Sequence, residues 1–104
     1  MSGNDIVGSW KSFMTTGISG IAEPYDRQTL EFYSSGRGHM HAKTLFGRNR
    51  SFTWEYVPYG EFGEDYYTIR DLGGPGAIAH ASIEEAGTVL AVLEGTMMTG
   101  YRKQ

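Results

Sequence analysis

Thr29-Leu30-Glu31-Phe32-Tyr33-Ser34-Ser35-Gly36-Arg37-Gly38-His39-Met40-His41 is the stretch from which the fold can be worked out. Leu30 and Phe32 alternate with Thr29 and Glu31, the period-2 pattern of a half-buried strand. Ser34-Ser35-Gly36 suits a three-residue hairpin loop with glycine in the left-handed third position. A loop of that length pairs Leu30 with Met40 and Glu31 with His39. Apolar side chains then face apolar ones across the ladder, and a slip of one residue would spoil the match. The stretch predicts an antiparallel hairpin whose second strand runs from about Gly38 to Thr44.

Working outward, strand signals recur along the chain between glycine-bearing turns. Gly8 to Thr15 (GSWKSFMT) comes first, followed by a connection in which Gly17, Gly20 and Pro24 oppose regular structure. After the turn Phe46-Gly47-Arg48-Asn49, the segment Ser51 to Val57 carries aromatics at alternate positions, Phe52, Trp54 and Tyr56. Pro58 and Gly60 end it. Further strands are expected at Asp65–Asp71, Ala77–Ile83, Thr88–Leu93 and Thr96–Lys103. The 15 glycines are spread along the chain and read as turn punctuation. Residues 21–27 offer the only room for a helix, and Pro24 limits it. The expected class is all-β, with eight strands in an up-and-down antiparallel meander. Closure into a barrel, rather than a sandwich, removes both exposed edges. At 104 residues the chain is one domain's worth.

Composition excludes several functions. With 9 basic and 12 acidic residues the formal charge is −3, and no basic stripe exists to recruit nucleic-acid phosphates. No apolar run approaches the ~20 residues of a membrane-spanning helix. Met1-Ser2-Gly3-Asn4-Asp5 lacks the basic and apolar regions of a secretory leader. Cysteine is absent, so disulfides and thiolate metal sites are excluded. The expectation is a cytoplasmic protein with no nucleic-acid or membrane partner and no cofactor.

The opening Ile6-Val7-Gly8-Ser9-Trp10 resembles the Gly-x-Trp signature that begins lipocalins and their calycin relatives. Together with Thr29-Leu30-Glu31-Phe32, Ser35-Gly36-Arg37-Gly38, Phe52-Thr53-Trp54 and Tyr101-Arg102, it makes nearly the whole chain resemble small bacterial lipocalin-like domains. The resemblance implies a lipocalin-like barrel that binds an apolar, amphipathic or anionic small molecule. It also implies a basic side chain near the C-terminus packed across Trp10, with Arg102 the first candidate and Lys103 the second. Topology agrees, because in an eight-stranded up-and-down barrel the first strand starts and the last strand ends at one rim. The chain departs from typical lipocalins in being shorter and in lacking a helix after the barrel. Strands of this length make a barrel only ~18 Å tall, whose interior holds side chains or one small ligand.

The side chains expected inside include Phe32, Trp54, Tyr56 and Tyr67, with Leu30, Met40, Phe52 and Ile69. Leu30, Phe32, Phe52 and Ile69 are expected to fill core. Tyr56 and Tyr67 are candidate cavity walls, because a buried hydroxyl needs a partner that a ligand could supply. The rim opposite Trp10 gathers Arg27, Lys43, Arg48, Arg50 and Arg70 against Glu23, Asp26, Asp71 and Glu94. A slightly positive mouth would admit an anionic or polar-headed molecule, and ordinary surface charge is the plain alternative. His80, among Ala77, Ala79 and Ala81, is a candidate general base with Tyr67 or Arg70 beside it. The expected ligand-binding set is therefore Tyr56, Tyr67, Trp54, Phe32, Arg70 and His80. A small barrel enzyme of isomerase or cyclase type is the alternative function, and a filled-core interaction module the third. His39 and His41 share a face with Glu31, but the register puts the trio outside the barrel, and no metal is assigned to it. The strand Thr88–Leu93 is apolar on both faces; with Met97 and Met98 it makes the last three strands a candidate homodimer surface.

Overall fold

The computed structural model describes residues 3–17, 19–43, 49–58 and 65–104. Its strands are β1 (Gly8–Thr15), β2 (Glu23–Pro24), β3 (Gln28–Phe32), β4 (Arg37–Ala42), β5 (Arg50–Val57), β6 (Tyr66–Arg70), β7 (Ile78–Glu84), β8 (Val89–Glu94) and β9 (Met97–Lys103). One 3₁₀ turn, Glu85–Gly87, links β7 to β8. All pairings are antiparallel between neighbours, and β1 also pairs with β9. The sheet therefore closes through β1 and β3–β9 into an eight-stranded up-and-down barrel. No helix among the described residues is long and apolar enough to cross a membrane.

The hairpin at 29–41 has the register its pattern demands: Leu30 opposite Met40 and Glu31 opposite His39. Gly36 sits at φ 87°, and Tyr33 N–H donates to Arg37 O at 2.8 Å across the loop. Strand ends differ from the sequence expectation by a residue or two. Thr44, the tip of the turn at 46–48, and Gly60 lie outside the described residues. Where the long connection left room for a helix, β2 instead adds two residues to β1, pairing Met14 with Pro24. Proline fits there because β2 has a partner on one side only, so its missing N–H breaks no ladder.

Alternation fills the interior. Trp10, Leu30, Phe32, Phe52, Tyr67, Ile69, Ala79, Ala81, Leu90, Val92 and Tyr101 are buried together, joined by Ile6 from before β1. Gly38 lets this packing close, because a Cβ there would stand 2.2 Å from the Phe52 ring and 2.6 Å from Glu31 O. A register shift between Ser12 and Met14 breaks the parity of β1. Phe13 and Met14 consequently both lie over Gly100, each about 3.0 Å from where its Cβ would be. Thr15 is thereby returned to the inner face beside Thr99, with 3.2 Å between their hydroxyls.

The terminal strands meet as expected, but the basic partner of Trp10 is Lys103 and not Arg102. Lys103 is opposite Trp10 in the β1–β9 ladder and its Nζ is 5.5 Å from the indole. Arg102 belongs to the outer face, where its guanidinium covers Phe13 at 4.1 Å. The reason is parity: one residue along a strand reverses the face. Trp10 is fully buried, and its Nε1 donates to Ile6 O at 2.8 Å, so the end of the barrel is closed by its own N-terminal approach.

Candidate binding site at the barrel mouth

The aromatic residues expected to line a ligand cavity are brought together, but at the closed end. Phe32 packs edge-on against Phe52 and Trp54, and Trp54 edge-on against Tyr67, while Tyr67 meets Tyr56 at a tilt. β5 runs from the mouth toward the Trp10 end, so Trp54 and Tyr56, late in that strand, are carried away from the opening. Their polar atoms are satisfied by protein. Trp54 Nε1 donates to Tyr33 O at 3.0 Å and Arg37 O at 3.1 Å, pinning the hairpin loop, and Tyr56 Oη donates to Asp65 at 2.6 Å. Burial pushes the Tyr67 phenol up to about 12, with Asp5 and Tyr56 adding to it and a backbone hydrogen bond from Ile6 opposing.

Arg70 and His80 are both exposed on the outer face. Each is one residue from buried neighbours, Arg70 from Ile69 and His80 from Ala79 and Ala81, so alternation turns them outward. His80 packs edge-on against Tyr66 at 5.5 Å. His39, His41 and Glu31 also lie outside, where Glu31 is shared between His41 at 3.5 Å and the Tyr33 hydroxyl at 2.8 Å.

A cavity of about 560 Å³ opens at the other end, the mouth opposite Trp10. Arg27, Arg50 and Glu94, three of the charged residues expected at this rim, are on its wall. Lys43 is exposed and is not part of it, and Arg48 lies outside the described residues. None of the six residues expected from the sequence to bind ligand lines the cavity. Its walls include Tyr25, Gln28, Met40, Leu72, Met97 and Thr99 instead.

Several wall residues have a local cause. Glu94 continues the inward series Leu90, Val92, and Met97 and Thr99 continue that of Tyr101, so parity along β8 and β9 would have found them. Leu72 is inward because Asp71 takes a left-handed φ of 72° and shifts the alternation by one. Aspartate tolerates that conformation, and here it secures the turn: its N–H donates to Ala77 O, and its Oδ1 accepts from Gly76 N–H, both at 2.8 Å. Tyr25 comes from the irregular connection and left no pattern to read.

Below the cavity lies a polar layer. Tyr101 Oη donates to Gln28 Oε1 at 2.9 Å, and Gln28 N–H donates to Ser12 Oγ at 3.0 Å. Burial raises the Tyr101 phenol, helped by the charge of Glu94 and by Tyr25. Burial likewise raises the Glu94 carboxyl. The Tyr25 phenol is raised by burial and by Glu94, and Arg27 pulls it down. Glu94, Tyr25 and Tyr101 therefore feel one another electrostatically across one space.

No protein-family model and no curated protein sequence matches this chain. Among solved structures, it is similar to a lipocalin-like protein from Bacteroides uniformis, with a TM-score of 0.65 at 17% identity over 96% of this chain and 99% of the other. A short barrel spanned end to end by that relative, opened by Gly8-Ser9-Trp10 and closed by pairing of its first and last strands, has the lipocalin-like fold.

Proposed function

We propose that this protein binds a small polar molecule in the cavity at the barrel mouth. The observation that carries the reading is the cavity itself, about 560 Å³, whose lining sets charged and hydrogen-bonding side chains beside the apolar Met40 and Leu72. Small-molecule sites usually occupy ~300–1,000 Å³ and set a few polar groups into an apolar surface. The remainder of the barrel is filled with side chains, so a ligand would rest at the rim and reach only part-way down. This supports the binding expected from the sequence but relocates it from Tyr56 and Tyr67 to Tyr25, Arg27, Gln28, Arg50 and Glu94. Of the apolar, amphipathic and anionic molecules the resemblance implies, the cavity's charged lining favours the more polar ones.

A thermal-shift screen of small polar metabolites against the wild type and Met97→Trp tests the proposal. Met97 is on the wall, and the larger side chain occupies the space. A compound at ~100 times its Kd stabilises the folded state by ~2.7 kcal/mol. Hits that stabilise the wild type and lose their effect in Met97→Trp support the site. Hits that persist unchanged in the variant, or no hits at all, remove it.

A further inference from the structure

We infer that the mouth cavity selects an amphoteric ligand, one carrying an amine or similar cationic group to meet Glu94 and a carboxylate to meet Arg27 and Arg50. This rests on the proposal that the mouth is a binding site and names the ligand class. Glu94 and Arg50 approach the cavity over one turn, that between β6 and β7. Glu94 Oε2 is 3.5 Å from where a Cβ on Gly73 would stand, and Arg50 Nη1 is 3.4 Å from the equivalent point on Gly74. Glycine at both positions leaves the two charged ends room over adjacent residues.

Yet they do not neutralise each other. Among the described residues no ion pair within 4.0 Å involves Glu94, Arg27 or Arg50. Glu94 is partly desolvated, which is what raises its carboxyl. A half-buried carboxylate without a cation is costly and gains when one arrives. The two arginines face the same space, among the described residues neither has a carboxylate within 4.0 Å, and a guanidinium fork binds a carboxylate through two parallel hydrogen bonds. A ligand bearing both charges satisfies both sides of the cavity. A singly charged one leaves one side unpaired.

Calorimetric titration with 4-aminobutanoate, 6-aminohexanoate and 8-aminooctanoate, each beside the acid and the amine of the same chain length, is the test. The expected result is one ω-amino acid binding at least ~10-fold more tightly than its acid and its amine, roughly one good charge pair. Glu94→Gln should reduce that ligand to the affinity of the acid. Arg50→Gln, or Arg27→Gln, should reduce it to that of the amine; either serves if the other fails to fold. Equal binding of amino acid, acid and amine overturns the ligand class while leaving the mouth as a site. So does failure of the whole series when neutral compounds bind in a manner abolished by Met97→Trp. If nothing binds in the cavity, both readings fall together.

Discussion

Lys103 Nζ lies 5.5 Å from the Trp10 ring, across the seam where the first and last barrel strands pair. The indole is fully buried and hydrogen-bonded to Ile6, while the lysine tip is exposed. Their contributions to stability should therefore differ. Trp10→Ala is expected to cost ~3–5 kcal/mol in urea unfolding, as for other large buried aromatics. Lys103→Ala should cost ~0.5–1 kcal/mol, the range of an exposed cation–π contact. Arg102→Ala acts on Phe13 instead and should be additive with Trp10→Phe. Strong coupling between Arg102 and Trp10 in a double-mutant cycle would contradict the assignment of Lys103.

Among the described glycines, Gly38 has the closest neighbours where a Cβ would stand. An alanine methyl there meets the Phe52 ring and the Glu31 carbonyl, neither of which can swing aside. Gly38→Ala should destabilise by ~1–3 kcal/mol or more, the range for overpacking. Gly38→Ala/Phe52→Leu should recover part of the loss. If Gly38→Ala unfolds at the wild-type urea concentration, the close approach is not as described.

Glu94 predicts a pH signature. Its carboxyl is raised by burial, so the folded state holds this proton more firmly than the unfolded chain does. The sign follows: wild-type stability is favoured below the usual carboxylate range and is lost as pH rises through the pKa of the folded state. Glu94→Gln lacks this penalty. The variant should melt above the wild type at pH 7, and the difference should vanish near pH ~4. A difference that grows on acidification would mean that Glu94 is stabilised as a carboxylate.

On the outer face Ile78, Leu93 and Met98 are exposed, with Leu93 opposite Met98 in the β8–β9 ladder. They narrow the homodimer surface expected of the last three strands, since Leu90 and Val92 face inward and are buried. Sedimentation of the wild type should show a dimer that Leu93→Glu dissociates. A wild type that stays monomeric at high micromolar concentration ends the idea.

How much could be read before the fold was known depended on range. Alternation in Thr29–Phe32 and Phe52–Tyr56, with glycine at position 36, is local chemistry: it set strands, loop type and the Leu30–Met40 register without reference to the remaining chain. The charges of Arg27, Arg50 and Glu94 were legible as a rim for the same reason, since each follows or precedes a turn whose end of the barrel is dictated by strand order. By itself, then, the sequence determined the all-β class, the order of the strands and which charged residues share a rim. Tertiary structure alone decided what lines that mouth. A bulge in β1 and the left-handed Asp71 each shift the two-residue period by one, bringing Thr15 and Leu72 inside. Tyr25 arrives from a connection with no period at all. Facing is a parity, and one irregular residue reverses the side chains that follow it along its strand.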